Sequence, residues 1–175
     1  YLLARNPECE RKLYAEIDSV LRGRTPEFGD LAHLPYTESV VAESLRLCPP
    51  VWLLGRMAKE RFELGGVSIP GGSVCLMSPY LLQHDARFFP DPERFDPGRW
   101  LPELRESRPR FSYFPFGGGM RVCIGERFAS AELILVIATL AQKCRFRMAT
   151  REAVKPAPRL TLQPGGPVRM SVVPR

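Results

Sequence analysis

The residues whose types and spacing carry the most chemistry are Phe116-Gly117-Gly118-Gly119-Met120-Arg121-Val122-Cys123-Ile124-Gly125. A single cysteine ahead of a helix is most often a small buried residue. A glycine run can also cradle a phosphate, but that motif puts Lys-Ser or Lys-Thr after the glycines and a strand before them. Neither is present here. The remaining reading is a metal–thiolate centre. At a helix N-terminus the dipole and the unpaired N–H groups stabilise a thiolate. Glycines let backbone amides approach the sulfur, and such hydrogen bonds tune a metal–thiolate bond. Arg121, two residues before the cysteine, is positioned to meet an anionic edge of whatever the sulfur holds.

A second pair is Glu43 and Arg46, i and i+3 on one helical face. By itself such a pair is an ordinary surface contact contributing about 0.3–0.5 kcal/mol. The five cysteines, Cys9, Cys48, Cys75, Cys123 and Cys144, are odd in number and form no CxxC pair, which argues against a disulfide scaffold or a zinc knuckle. His33 and His84 read as structural. A reducing, cytosol-like compartment fits this cysteine usage.

The elements that would position these groups follow from periodicity and punctuation. Asn6-Pro7-Glu8 reads as a helix start, with Asn6 as N-cap and Pro7 at the first position. Leu13, Ile17, Val20 and Leu21 continue it to Gly23. A second helix is predicted over Tyr36 to Leu47, stopped by Pro49-Pro50. Strand-like pieces follow at Val51 to Leu54, Arg61 to Leu64 and Ser73 to Met77. Residues 85–115 show neither period, but Phe88, Phe89, Phe95, Trp100 and Phe111 predict an ordered, packed coil. A strong helix is predicted from Ile124 to Lys143. Leu160 to Gln163 and Val168 to Val173 read as a terminal hairpin about Pro164-Gly165-Gly166-Pro167. Tyr1 to Arg5 reads as the end of a helix, so the chain is expected to begin mid-protein.

The glycine–cysteine stretch resembles the heme-binding signature of the cytochrome P-450 family, Phe-x-x-Gly-x-Arg-x-Cys-x-Gly, at every defined position. Glu43-Ser44-Leu45-Arg46 resembles the family's Glu-x-x-Arg helix. Pro92-Glu93-Arg94-Phe95, followed by Asp96-Pro97-Gly98-Arg99-Trp100, resembles its downstream Pro-x-Arg segment. The resemblance runs through all 175 residues but corresponds to only the last two-fifths or so of a family member. It implies a mainly α fold with small β-sheets, residues 1–175 being the C-terminal heme-ligating part of a single cytochrome P-450 domain. The implied order is a helix, the Glu-x-x-Arg helix, short strands, a coil meander, the cysteine loop, a long helix and a terminal hairpin.

The implied cofactor is heme b (iron protoporphyrin IX) with Cys123 as axial ligand. Phe116, Gly117, Gly119, Arg121 and Gly125 belong to the binding loop. Phe116 packs by the thiolate in this reading, with a plain core role as the alternative. Arg56 resembles the strand arginine that binds a propionate. Glu43, Arg46 and Arg94 are expected to form a buried ionic triad beneath the heme. Val51, Trp52, Leu53 and Leu54, with Thr161 and Leu162, resemble two substrate-contacting segments, or are simply core.

The family's distal acid–threonine pair would lie upstream of Tyr1. No catalytic residue is therefore expected in this chain, and by itself it is expected to be inactive. The intact protein is expected to use O₂ and two electrons to hydroxylate or epoxidise a hydrophobic small molecule. Two further readings are a non-catalytic heme-binding or sensor module, and a heme-free remnant that binds an acidic protein partner.

The formal charge is +6, with an excess at Arg105, Arg108, Arg110, Arg121, Arg127, Lys143, Arg145, Arg147 and Arg151. No stripe of basic residues interleaved with aromatics appears, which argues against nucleic acid. The excess suits an acidic protein, and the resemblance implies a ferredoxin or flavoprotein reductase there. The longest apolar run, Leu133 to Ala141, is too short to span a bilayer and is broken by Thr139. The strong preference for Arg over Lys hints at a bacterial source. A cytoplasmic location follows as the expectation, with an N-terminal membrane anchor outside the chain as the other option.

Overall fold

The computed structural model describes residues 1–102, 104 and 108–175. Its helices, in chain order, are α1 (Leu2–Arg5), α2 (Pro7–Leu21), α3 (Pro35–Leu47), α4 (Pro79–Gln83) and α5 (Glu126–Lys143). Short 3₁₀ turns occupy Phe28–His33, Pro97–Trp100 and Gly119–Arg121. The strands are β1 (Leu54–Met57), β2 (Phe62–Leu64), β3 (Val67–Ile69), β4 (Val74–Met77), β5 (Cys144–Met148), β6 (Pro156–Pro158), β7 (Leu162–Pro164) and β8 (Met170–Pro174). They pair antiparallel as β1–β4, β2–β3, β5–β8 and β6–β7.

The core lies where α2, α3 and α5 meet. Leu13, Ile17 and Leu21 recur at helical spacing on α2 and are almost wholly buried against Val40 and Val41 of α3 and Ile134 and Ala138 of α5. Each such aliphatic side chain removed from water stabilises the fold by about 1.5–3 kcal/mol before entropy is counted. Pro35 opens α3, and the carboxylate of Glu16, on α2, accepts the free N–H groups of Tyr36 (2.7 Å) and Thr37 (2.8 Å). One helix thus caps the next, satisfying donors that α3 leaves unpaired. Glu10 is buried on α2, accepts from the Tyr14 hydroxyl (3.1 Å) and pairs with Arg147 of β5 at 2.9 Å. That contact ties the strand following α5 back to α2.

Several local expectations change. Asn6 stands at the N-cap position of α2, but its side-chain amide donates to the Leu2 carbonyl of α1 at 2.8 Å instead of capping. The preceding helix end competes for that amide and wins it. The strand expected over Val51 to Leu54 begins only at Leu54, where its pairing with Met77 of β4 starts. The predicted strand at Arg61 to Leu64 acquires the partner Val67–Ile69 across Gly65-Gly66, both with φ positive (57° and 79°). A two-residue hairpin turn of that hand needs positive φ at both positions, which glycine supplies without strain. The predicted terminal hairpin does not form. β7 pairs with β6, and β8 pairs with β5 in the register Cys144↔Pro174 to Met148↔Met170. The long helix begins at Glu126, two residues later than predicted, with Gly125 at its N-cap.

Candidate functional site

The site is built upward from one buried ion pair. Glu43 and Arg46 of α3 have no exposed side-chain surface. Removing two charges from water costs several kcal/mol each unless every polar atom finds a partner. Here nearly every one does. Arg46 donates to Glu43 through Nε (2.8 Å) and Nη2 (2.9 Å), to the Gln83 carbonyl (2.7 Å) and to the Arg94 carbonyl (3.1 Å). Glu43 also accepts the Asp96 N–H and the Trp100 indole N–H, each at 2.9 Å.

The third cation is not the expected one. Arg94 is exposed and gives only its carbonyl, whereas the Arg99 Nε lies 3.4 Å from the Glu43 carboxylate. The cause is the 3₁₀ turn Pro97–Trp100, which buries Trp100 on Glu43 and carries Arg99 in with it. Arg99 is anchored further by donating to the Asp91 carbonyl at 2.9 Å.

The coil expected over residues 85–115 is packed at Phe89, Phe95, Trp100 and Ser112, whereas Phe111 is exposed. Phe89 and Trp100 are buried, and the Arg46 guanidinium lies 5.1 Å from the Phe89 ring centre. Trp100 contacts Tyr113 at 4.3 Å, and the Tyr113 hydroxyl donates to the Ala42 carbonyl of α3 at 3.2 Å. Arg108 stacks on Trp100 (4.2 Å) and Phe89 (5.2 Å), a cation–π arrangement. Gln83 is also wholly buried, with its amide among α3 and the loop at Phe114. No spacing or periodicity marked this residue out.

That coil delivers the cysteine loop. The Gly117 N–H donates to the Phe114 carbonyl and the Cys123 N–H to the Phe116 carbonyl, both at 2.9 Å. Gly117 (φ 79°) and Gly119 (φ 67°) occupy left-handed backbone that a side chain would strain. Gly118 has ordinary φ but no room: a Cβ there would lie 2.6 Å from the Phe111 ring. The exposed Phe111 ring must turn aside, so Gly118→Ala is expected to cost about 0.5–1.5 kcal/mol, as an off-rotamer side chain does. Phe111→Ala in the same protein should recover most of that loss in denaturant unfolding, and additive losses would contradict the contact.

Cys123 lies in the turn just before α5 and is exposed. Among the described residues its sulfur has no hydrogen-bond partner. Cys144 differs in donating to the Leu140 carbonyl at 3.2 Å, while Cys48 is exposed like Cys123, its thiol pushed up by local desolvation. At Gly125 a Cβ would stand 3.8 Å from the Cys123 sulfur. Met120 and Ile124, in the same loop as Cys123, are fully exposed and Phe128 is largely so. Phe116 is half-buried and lines a 370 Å³ cavity with Phe111, Ser130 and Ile134.

Arg56 and Arg121 are both exposed and have no carboxylate partner among the described residues. Arg56 donates to the Gly55 carbonyl (2.8 Å). Leu54, on the same strand, lies 4.0 Å from the Cβ position of Gly117. The two candidate wall segments are joined directly. Leu162 N–H donates to the Pro50 carbonyl (2.9 Å) and Trp52 Nε1 to the Arg159 carbonyl (2.7 Å). Val51 and Leu53 stay exposed, and Thr161 accepts from the Gln163 amide.

The basic residues do not share one role. Arg145 and Arg147 are committed to Glu10 and Arg108 to the aromatic stack, while Arg110, Arg121 and Arg127 remain exposed. Arg105 lies outside the described residues. Among the described residues no helix is long and apolar enough to cross a membrane.

A helical core with small two-stranded sheets thus carries a buried Glu-x-x-Arg pair and a glycine loop that presents an exposed cysteine. The chain belongs to the cytochrome P-450 family, whose model matches residues 1–171. It is similar to cyclooctatin synthase of Streptomyces melanosporofaciens, with 46% identity over 175 residues, covering 100% of this chain and 38% of that protein. Cyclooctat-9-en-7-ol 5-monooxygenase of the same species is 46% identical over 147 residues, 84% of this chain and 32% of that protein. Pentalenene oxygenase of Streptomyces avermitilis is 38% identical over 156 residues, 89% of this chain and 35% of that protein. The chain thus spans between about a third and two-fifths of the length of these curated relatives.

Proposed function

We propose that this chain carries the ligand side of a heme-thiolate site, in which the Cys123 sulfur would hold heme b. The observation that carries the reading is the exposed Cys123 sulfur, which has no hydrogen-bond partner among the described residues and sits in a loop whose glycines exclude side chains. The donor set fits the group: one soft sulfur, exposed apolar side chains in the same loop, and exposed Arg56 and Arg121 for its carboxylates. Bound there, a heme supplies reductive activation of dioxygen, which thiolate donation favours.

The chain's own residues hold the ligand loop and fix the proximal face through Glu43, Arg46 and Arg99. The whole protein then acts as a monooxygenase, using O₂ and two electrons on an apolar small molecule. The relatives named for cyclooctat-9-en-7-ol and pentalenene support an unsaturated hydrocarbon skeleton as the substrate class. Leu54 and the Trp52-linked wall over Arg159 to Leu162 line its approach. Electrons arrive from a ferredoxin or flavoprotein reductase docking near Arg110 and Arg127. Reduction through that contact slows as ionic strength rises.

The test is the ferrous–carbon monoxide spectrum of the heme-loaded protein. A thiolate-type absorption band is expected. Failure to take up heme, or a spectrum of a nitrogen or neutral-thiol ligand, contradicts the proposal.

A further inference from the structure

The geometry points to Gln83 as a positioning residue for the cysteine ligand, an inference that rests on the heme-thiolate reading of Cys123. Gln83 ends α4 and is wholly buried. Its side-chain N–H groups donate to the Leu45 (3.1 Å) and Arg46 (3.0 Å) carbonyls, at the C-terminal end of α3. Those carbonyls belong to the last turn, where a helix leaves its acceptors without intrahelical donors. Its side-chain oxygen accepts the Phe114 N–H at 3.1 Å, and its backbone carbonyl accepts Arg46 Nη1 at 2.7 Å.

Phe114 is where the ligand loop begins to be fixed. Its carbonyl takes the Gly117 N–H, and the Phe116 carbonyl takes the Cys123 N–H. One side-chain amide therefore registers the loop that presents the sulfur against the helix that holds the buried ion pair. An apolar side chain of similar length fills the same space but leaves two acceptors and one donor unpaired in a buried setting. Each such loss is costly enough to move a loop. Gln83 touches neither the sulfur nor any bound group, so its effect passes through Phe114 and the loop backbone.

The experiment uses the complete heme-loaded gene product that carries this chain, with Gln83→Met and Gln83→Glu variants. The readout is the ratio of thiolate-type to neutral-thiol-type absorption in the ferrous–carbon monoxide complex, across pH. Gln83→Met is expected to lower that ratio roughly tenfold or more at every pH, with heme content and helical circular dichroism retained. Gln83→Glu keeps an oxygen for Phe114 and, while protonated, one donor for α3. It should match the parent at acidic pH and lose the thiolate band as the buried carboxyl ionises.

A Met variant with the parental ratio overturns the inference. If that variant does not hold heme, the Glu variant decides: a ratio that follows the parent at all pH values overturns the inference, and a pH-dependent loss supports it. A parent protein without a thiolate band overturns the Cys123 reading and this inference together. A parent with the band and a Met variant indistinguishable from it overturns this inference alone.

Discussion

Replacing Arg46 with methionine is expected to cost about 3–5 kcal/mol of folding stability, as removing one partner of a buried ion pair does. The Glu43 carboxylate would stay buried and lose its two shortest charged contacts, at 2.8 and 2.9 Å. It would retain the Asp96 N–H, the Trp100 indole and Arg99 at 3.4 Å, which is why the loss should not exceed this range. The Gln83 and Arg94 carbonyls would lose a donor as well. Adding Glu43→Gln to the methionine variant should restore part of the stability, because the stranded charge disappears. Denaturant unfolding followed by tryptophan fluorescence, from Trp52 and Trp100, reads all three proteins. A loss under about 1 kcal/mol in the single variant would show that the pair is not the buried anchor described. The same measurement separates the two candidate arginines. Arg94→Ala should stay within about 0.5 kcal/mol, as exposed sites do, whereas Arg99→Ala should exceed that.

The arginine assignment shows how much of the site was legible in the sequence. Pro92-Glu93-Arg94 and Pro97-Gly98-Arg99 carry the same Pro-x-Arg pattern five residues apart, and spacing alone does not choose between them. Burial chooses: Trp100 packs under α3 and hydrogen-bonds Glu43, so the arginine beside it enters with it. The helices α2, α3 and α5 were legible because their signals are local, an apolar stripe bounded by proline or glycine. The last strands were not. Pro164-Gly165-Gly166-Pro167 marks a turn but says nothing about which strand each arm joins. β8 pairs with β5, which follows α5 directly, and the arm before the turn folds onto Pro156–Pro158. Gln83 was invisible for another reason. Its value depends on where the chain brings Phe114, 31 residues away, and no period in the sequence encodes that meeting.

Cys123→Ser is expected to abolish the thiolate-type absorption completely while leaving the fold within about 0.5 kcal/mol of the parent. The two halves of that expectation have separate grounds. The sulfur is exposed and has no hydrogen-bond partner among the described residues, so exchanging it for oxygen removes no native contact beyond the 3.8 Å approach at Gly125. A serine hydroxyl at neutral pH is neutral and hard, so it cannot replace a soft anionic donor to iron. A structural cysteine would behave in the opposite way, with stability falling and the spectrum surviving. The other four thiols serve as internal controls. Cys144→Ser keeps a hydroxyl donor for the Leu140 carbonyl, and Cys48→Ser changes an exposed thiol that local desolvation pushes up. Neither should disturb the band. If the thiolate band persists in Cys123→Ser and disappears in one of those variants, the ligand belongs to that residue and the loop loses its role. If the band disappears in Cys123→Ser alone and unfolding is unchanged, the left-handed glycines, the crowded Gly118 and the buried Glu43–Arg46 pair acquire a common purpose. They hold one unpaired sulfur at the surface, where a metal can reach it.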